Sequence, residues 1–127
     1  MKCEQKFLRC EVCGNLVGLL IDGGVPMECC GQEMVEIVPN TVDAKYEAHV
    51  PAISVDGDTV VVNVGSIDHP MLAEHYIQWV YIKTKNGGQR KCLLPGEKPV
   101  AKFQLVDDEL LGAFGYCNLH GLWYADA

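Results

Sequence analysis

The cysteines of the first 38 residues constrain this chain more than any other feature of its sequence. A Cys-x-x-Cys pair, Cys10 and Cys13, is separated by fifteen residues from the adjacent pair Cys29 and Cys30. Only short apolar pieces accompany them, LVGLLI and MVEIV, and so little apolar surface does not fold a small module unaided. Such modules usually depend on a bound metal. We therefore expect a metal-stabilised domain over residues 1–38.

The thiolates of these two pairs can surround Zn²⁺ or a single iron tetrahedrally, and ligand type alone does not choose between the metals. Gly14, directly after the first pair, can take the positive φ that a tight thiolate turn often needs. The adjacent Cys29 and Cys30 are less usual, because neighbouring side chains diverge. Two disulfides, or buried inert cysteines, are the alternative. Of the seven cysteines, Cys3 lies outside the spacing and receives no role.

Charge and hydropathy exclude several classes of function. The net charge of −7 argues against a nucleic-acid partner, because neutralising phosphates requires clustered Lys and Arg. No apolar run approaches the roughly 20 residues that span a bilayer, which argues against a membrane protein. The N-terminal MKCEQKFLRC lacks the charged-then-apolar layout of a secretory signal. We therefore expect a cytoplasmic protein, in which cysteines bind metal more often than they form disulfides.

The chain from residue 52 to its end has the pattern of short β-strands. Six segments rich in β-branched and aromatic residues are AISV, TVVVNV, YIQWVYIKT, KCLL, VAKFQLV and LLGAFGYC, separated by turn signals such as DGD, NGG and PGEKP. DGD between the first two segments predicts a hairpin. With about seven strands and no convincing helix, residues 52–127 are expected to form an immunoglobulin-like antiparallel β-sandwich. Residues 39–51 form a linker between the two domains.

The four histidines, His49, His69, His75 and His120, lie near these turn signals, and Cys117 precedes the last of them by three residues. A single histidine in such a place is usually a surface residue, and this spacing alone does not decide the matter. Imidazole and thiolate together suit a transition metal. Four imidazoles and one thiolate fall one ligand short of an octahedron, which would leave a position open for a small molecule.

Taken together, the motifs CEVCGN, CCGQEM, EAHVP, GSIDHPM, EHYIQW and YCNLHGLW resemble desulfoferrodoxin, the two-iron form of superoxide reductase. The resemblance covers nearly the whole chain. It implies a rubredoxin-like or desulforedoxin-like N-terminal domain whose FeCys₄ centre uses Cys10, Cys13, Cys29 and Cys30. It also implies a second iron in the β-sandwich, with four equatorial histidines and one axial cysteine, namely His49, His69, His75, His120 and Cys117.

The resemblance also implies a reaction and its partners. One superoxide, one electron and two protons give hydrogen peroxide without forming dioxygen, and superoxide binds at the vacant position opposite Cys117. A rubredoxin-like donor reduces the iron again, and the protein is a homodimer. A homodimer is also expected from the apolar Leu19, Leu20 and Ile37 of the N-terminal domain, which pairing would cover.

The loop that starts within residues 39–51 departs from the family at one position. Glu47 matches a carboxylate that caps the oxidised iron at rest. The family then has a lysine, which attracts superoxide and orders the water that protonates peroxide, and this chain has Ala48 instead. Lys45, three residues upstream, is a candidate substitute cation. We expect an active enzyme with slower superoxide capture and a weaker salt dependence, whether alanine is natural or engineered.

Two other functions stay open at this point: an electron carrier in which the histidine site is incidental, and a zinc-stabilised binding module without redox activity.

Among the remaining motif residues, Trp79 and Trp123 are interpreted as core or as walls of the metal pocket. Pro51 and Pro70 are expected to stiffen the ligand loops. Cys92 is interpreted as a buried or edge-strand thiol.

Overall fold

The computed structural model describes residues 4–127, so Cys3 lies outside the described part of the chain. The chain divides into two compact units, Met1–Val38 and Pro39–Ala127. Among the described residues, no helix has the length and apolar composition to cross a membrane.

The N-terminal unit consists of short strands with almost no buried core. Its strands are β1 (Lys6–Arg9), β2 (Leu16–Leu19), β3 (Glu28–Cys29), β4 (Gln32–Glu33) and β5 (Val35–Glu36). β2, β1 and β5 form one antiparallel sheet, and β3 pairs with β4. Among the described residues of this unit, only Phe7 and Cys10 are buried apolar side chains. Burying one phenylalanine contributes roughly 1.5–3 kcal/mol, far less than the entropy lost on ordering the unit. The unit therefore needs a further source of stability.

The C-terminal unit is a two-sheet sandwich preceded by one helical turn. Its elements are α1 (Tyr46–His49), β6 (Pro51–Asp56), β7 (Thr59–Val64), β8 (Ile77–Thr84), β9 (Gly87–Cys92), β10 (Val100–Gln104), β11 (Leu110–Cys117) and β12 (Gly121–Asp126). One sheet has the order β10-β7-β6 and the other β12-β11-β8-β9, with all neighbours antiparallel. The prediction of an all-β protein with a seven-stranded immunoglobulin-like sandwich is confirmed for the described residues. β9 begins four residues before the predicted KCLL segment, and β12 lies beyond the last predicted one.

The core of the sandwich lies between the two sheets. Strand β7 alternates, with Val60, Val62 and Val64 fully buried, as expected for a strand with one face on the core. Val80 and Ile82 of β8 are fully buried in the same cluster. The predicted hairpin at DGD is present between β6 and β7.

The register of the strands determines which loops meet. Strand β6 begins beside the end of β7, because Pro51 pairs with Val64. In the other sheet, Cys117 at the end of β11 pairs with Ile77 at the start of β8 and with Gly121 at the start of β12. The segments next to these strand ends carry all four histidines.

Candidate metal centres

Five side chains of the C-terminal unit converge, and we call them the His₄Cys cluster. His49 is the last residue of α1, His69 follows β7, His75 precedes β8, Cys117 ends β11 and His120 precedes β12. One nitrogen from each histidine and the sulfur of Cys117 all lie within 4.8 Å of one another. The five residues predicted as ligands of the second metal are therefore brought together by the fold.

The four imidazoles of the cluster form a closed square. In the order His49, His69, His75, His120 and back to His49, successive ring centroids are 4.6, 4.7, 5.1 and 4.9 Å apart. Successive rings are nearly perpendicular, at 78°, 84°, 78° and 83°. Sγ of Cys117 lies 3.8 Å from Nδ1 of His120, so the sulfur belongs to the same centre as the four rings.

Hydrogen bonds outside the square fix the tautomers of two of its histidines. Nδ1 of His49 donates to the carbonyl oxygen of Lys45 at 2.7 Å, and Nδ1 of His69 donates to that of Pro70 at 2.7 Å. Because Nδ1 carries the proton in each ring, Nε2 carries a lone pair that faces the centre of the cluster. The two Nε2 atoms lie 3.2 Å apart. His120 instead presents Nδ1, which is 3.1 Å from Nε2 of His49.

The donor set of this cluster fits a transition-metal ion. Nε2 of His75 is buried and has no hydrogen-bond partner among the described residues. A buried unpaired nitrogen, and two lone pairs facing each other at 3.2 Å, are costly unless a cation lies between them. Four imidazole nitrogens and one thiolate are ligands that iron accepts. The cluster therefore has the chemistry of a metal centre.

Burial sets the protonation of the ligands. It lowers the pKa of His49 and lowers that of His69 to about 4, so both rings are neutral near pH 7, which is the form that binds metals. Burial raises the pKa of the Cys117 thiol, and the backbone N–H of His120, 3.4 Å from Sγ, opposes this effect. A metal cation is the charge that converts such a thiol to a thiolate.

Close backbone packing places His49 beside His69. The amide of Ile67, in the loop that leads to His69, donates to the carbonyl oxygen of Glu47 in α1 at 2.9 Å. The Ser66 hydroxyl reaches the same oxygen at 3.3 Å. A Cβ on Gly65 would lie only 2.6 Å from that oxygen, so only glycine allows this approach. No pattern in the sequence marks Gly65 as a residue of the site.

The two tryptophans have different surroundings. Trp123 is fully buried, its ring centroid lies 5.0 Å from that of His49, and its Nε1 donates to the carbonyl oxygen of His120 at 3.1 Å. It is therefore a wall of the pocket. Trp79 stacks on Tyr116 at 5.4 Å and belongs to the packing between strands β8 and β11.

The residues predicted to act around the open position have distinct exposures. Ala48 is buried, whereas Glu47 and Lys45 are exposed. Lys45 and Glu47 touch the site through their carbonyl oxygens, which hold the ring of His49 and the loop of His69, respectively. In the part of the chain that the structure describes, neither charged group makes an ion pair or hydrogen bond with the ligands.

Four sulfurs of the N-terminal unit converge in the same way, and we call them the Cys₄ cluster. Sγ atoms of Cys10, Cys13, Cys29 and Cys30 all lie within 4.8 Å of one another. The backbone N–H of Cys13 donates to Sγ of Cys10 at 3.4 Å, and Gly14 has the expected positive φ of 81°. All six described cysteines are free, so the alternative of two disulfides is wrong for the described residues.

A tight hairpin explains how adjacent cysteines share one centre. Cys30 and Gly31 form the two-residue loop between β3 and β4, with φ of 54° and 74°. Positive φ at both positions is typical of a type I′ turn. This conformation brings Sγ of Cys29 to 3.9 Å from that of Cys30, overcoming the divergence expected of neighbouring side chains.

The sulfurs of the Cys₄ cluster strongly perturb one another. The backbone N–H of Cys13 is the main cause that lowers the pKa of Cys10 to about 6, whereas the neighbouring thiol of Cys13 is the main cause that raises the pKa of Cys30 to about 12. One thiol therefore ionises easily, and each further thiolate is opposed by those already present. A cation removes this opposition, so the cluster fits a tetrahedral thiolate metal centre.

Comparisons with known proteins agree with this geometry. The family model described as desulfoferrodoxin matches residues 41–126. A desulfoferrodoxin from Syntrophotalea carbinolica is 44% identical over 118 residues, which are 93% of each chain. A desulfoferrodoxin from Nitratidesulfovibrio vulgaris is 38% identical over 127 residues, all of both chains. The superoxide reductase structure from Treponema pallidum has a TM-score of 0.82 at 39% identity, covering 97% of this chain and 99% of that one.

Proposed function

This chain belongs to the desulfoferrodoxin family, and from that membership and the geometry of its clusters we propose that it is a superoxide reductase. The enzyme is an oxidoreductase that converts one superoxide, one electron and two protons into one hydrogen peroxide. Its cofactors are two iron ions per chain, one in the Cys₄ cluster and one in the His₄Cys cluster. The observation that carries the function is the convergence of four imidazoles and one cysteine sulfur, five ligands that would leave one position of an octahedral iron open.

The protein residues prepare this position before superoxide arrives. A ferrous iron held by His49, His69, His75, His120 and Cys117 would supply the electron and a coordination position for superoxide. The carbonyl oxygens of Lys45 and Pro70 hold the rings of His49 and His69 in the metal-binding tautomer. The sulfur of Cys117 would bind the iron as a thiolate and would donate electron density to it. The backbone N–H of His120, 3.4 Å from Sγ, limits that donation.

Charged side chains near the open position have proposed roles in substrate capture and in the resting state. Glu47 lies in the same helical turn as His49, two residues before it, and its carboxylate is exposed. This placement supports a role as the carboxylate that caps the oxidised iron. Lys45 is exposed at the start of the turn and is the proposed substitute for the lysine that Ala48 replaces. Without a lysine at position 48, superoxide is captured more slowly.

A rubredoxin-like protein is the proposed electron donor. The reaction consumes one electron per superoxide, so the iron must be reduced again after each turnover. Exposed apolar side chains next to two ligand segments support a protein donor, because they offer a contact surface beside the metal: Leu119 lies between Cys117 and His120, and Leu72 pairs with His75.

The proposed assembly is a homodimer through the N-terminal unit, in the cytoplasm. Leu20 and Val25 of that unit are each 80% exposed, which favours a partner surface that covers them. The free cysteines support a reducing compartment, since Cys92 on the edge strand β9 is an exposed thiol that an oxidising compartment would modify. Analytical ultracentrifugation of the parent and of Leu20→Glu tests the dimer, and loss of the dimer in the variant is expected.

Product stoichiometry tests the enzymatic function. Purified iron-loaded protein, pre-reduced and mixed with superoxide in a stopped-flow instrument, should give one hydrogen peroxide per superoxide and no dioxygen. A dismutase would give half as much peroxide together with dioxygen. An electron carrier whose histidine site is incidental would lose no activity when Cys117 is replaced, and a zinc module would contain no iron on metal analysis.

A further inference from the structure

Asn118 is not a metal ligand, yet its side chain spans the two ligand segments of the four-stranded sheet. It lies between Cys117 and His120 in the chain. Its Oδ1 accepts the backbone N–H of Tyr76 at 3.0 Å, and its Nδ2 donates to the carbonyl oxygen of Glu74 at 3.0 Å. Its own backbone N–H donates to the carbonyl oxygen of Tyr76 at 3.2 Å. Three hydrogen bonds therefore attach one residue to both chain neighbours of His75.

His75 needs such support more than the histidines of the other sheet do. The rings of His49 and His69 are each held by a carbonyl oxygen at 2.7 Å. Within residues 4–127, the ring of His75 has no such partner, and its Nε2 is buried without a hydrogen bond. The remaining restraint on its backbone is a bridge to Leu72, with hydrogen bonds of 2.9 and 3.1 Å.

We propose that Asn118 is a positioning residue that holds His75 in register with Cys117 and His120, so that three of the five ligands form one preassembled unit. The amide side chain suits this role because it supplies one acceptor and one donor to the two sides of the same residue. The three-residue loop between β11 and β12 fixes Asn118 relative to the sulfur and the last imidazole. The inference rests on the proposed iron site.

Removal of the amide should weaken iron binding at this site alone. In Asn118→Ala both side-chain hydrogen bonds are lost, and the loop of His75 keeps only the Leu72 bridge and the backbone hydrogen bond from residue 118 to Tyr76. Loss of a hydrogen-bond partner that orients a metal ligand typically costs 10–100-fold in metal affinity. We therefore expect iron to leave the His₄Cys cluster about 10–100-fold faster, while the Cys₄ cluster of the same chain keeps its iron.

The experiment follows iron transfer from the holoprotein to a colorimetric chelator and records the thiolate-to-iron absorption of each centre. Asn118→Asp keeps the acceptor for Tyr76 but places an oxygen against the carbonyl of Glu74, so its release rate should lie between those of the parent and Asn118→Ala. Asn86→Ala is the matched control. It removes another loop asparagine, whose Nδ2 donates to the carbonyl of Asp107 at 3.3 Å, beyond the opposite end of β8.

Faster iron loss and a shifted absorption band of the His₄Cys centre in Asn118→Ala, with a smaller effect in Asn118→Asp and none in Asn86→Ala, support the proposal. A release rate within about twofold of the parent, or equal losses from both centres, overturns it. If Asn118→Ala does not fold, Asn118→Asp decides by the same criteria. A parent protein that holds no iron in this cluster would instead refute the proposed function.

Discussion

Gly65 is the residue at which a single methyl group should disturb the metal site most. An alanine Cβ there would lie 2.6 Å from the carbonyl oxygen of Glu47, 2.8 Å from that of Val50 and 3.1 Å from the carbonyl carbon of Ala48. Ordinary contacts to a Cβ begin near 3.4 Å. All three neighbours are backbone atoms, so no side chain can rotate away, and α1 and the loop that leads to His69 must move apart by about 0.6–0.8 Å.

This displacement is large compared with the geometry that it disturbs. Nε2 atoms of His49 and His69 are 3.2 Å apart, and each belongs to one of the two segments that must separate. Inserting a methyl group into a close-packed region costs about 1–3 kcal/mol. We expect Gly65→Ala to lower the free energy of unfolding of the C-terminal unit by about that amount. Iron affinity of the His₄Cys cluster should fall about 10–100-fold, as for other changes that misplace a ligand.

Urea unfolding followed by tryptophan fluorescence measures this effect, because both tryptophans lie in the C-terminal unit. Gly115→Ala is the matched control. The three atoms nearest to its Cβ would all belong to side chains, with Val64 Cγ2 at 3.2 Å, and alanine is favoured over glycine in a strand by roughly 0.5–1 kcal/mol. The reasoning is refuted if Gly65→Ala stays within about 0.5 kcal/mol of the parent and retains its iron.

Cys117→Ser replaces the thiolate ligand by a hydroxyl. Loss of a hydrogen-bond partner of a metal ligand typically lowers activity about 10–100-fold, and loss of the ligand itself should lower superoxide consumption in pulse radiolysis by more than that. The absorption of the Cys₄ iron should not change, and its loss would point to misfolding. Ala48→Lys should raise the capture rate about fivefold at low ionic strength, since one charge about 4 Å from superoxide in water contributes about 1 kcal/mol. The gain should shrink in a salt series, and a gain that is independent of salt would contradict a charge effect. In the iron-free protein, burial lowers the pKa of His69 from 6.5 to about 4, so the unfolded chain binds more protons between these values. The contribution of His69 to stability is therefore full above pH 6.5 and is lost as the pH falls towards 4. Urea unfolding at several pH values should show this slope, and His69→Gln should reduce it.

The Cys₄ pairs and the all-β class leave short-range signals in the sequence, whereas the His₄Cys ligands are predicted from the resemblance to desulfoferrodoxin, because their spacing alone does not decide them. Cysteine and histidine are rare enough here for each one to be examined, and hydrophobic strands separated by glycine turns are typical of a sandwich. Other features leave no such signal. The turn α1 has four residues, too few for a helical period. The role of Gly65 depends on a backbone approach between segments nearly twenty residues apart. In the sequence, Asn118 cannot be distinguished from other turn asparagines, because its role depends on the loop of His75, which only the fold places beside it.

The alternation of antiparallel strands explains how ligands spread over seventy residues reach one point. In an antiparallel pair, the residue before one strand and the residue after its partner lie at the same end. His49 and His69 are such a pair for β6 and β7, in the three-stranded sheet. The other three ligands flank β8, β11 and β12 at one end of the four-stranded sheet.

A metal that binds all five ligands therefore links the two sheets of the sandwich. Within each sheet, the strand ladders hold the ligand segments whether or not a metal is bound. Between the sheets, Nε2 of His49 lies 3.1 Å from Nδ1 of His120, close enough for both nitrogens to bind one ion. An ion bound by both nitrogens would therefore tie the two sheets together, and the ion that carries the chemistry would also close that end of the fold.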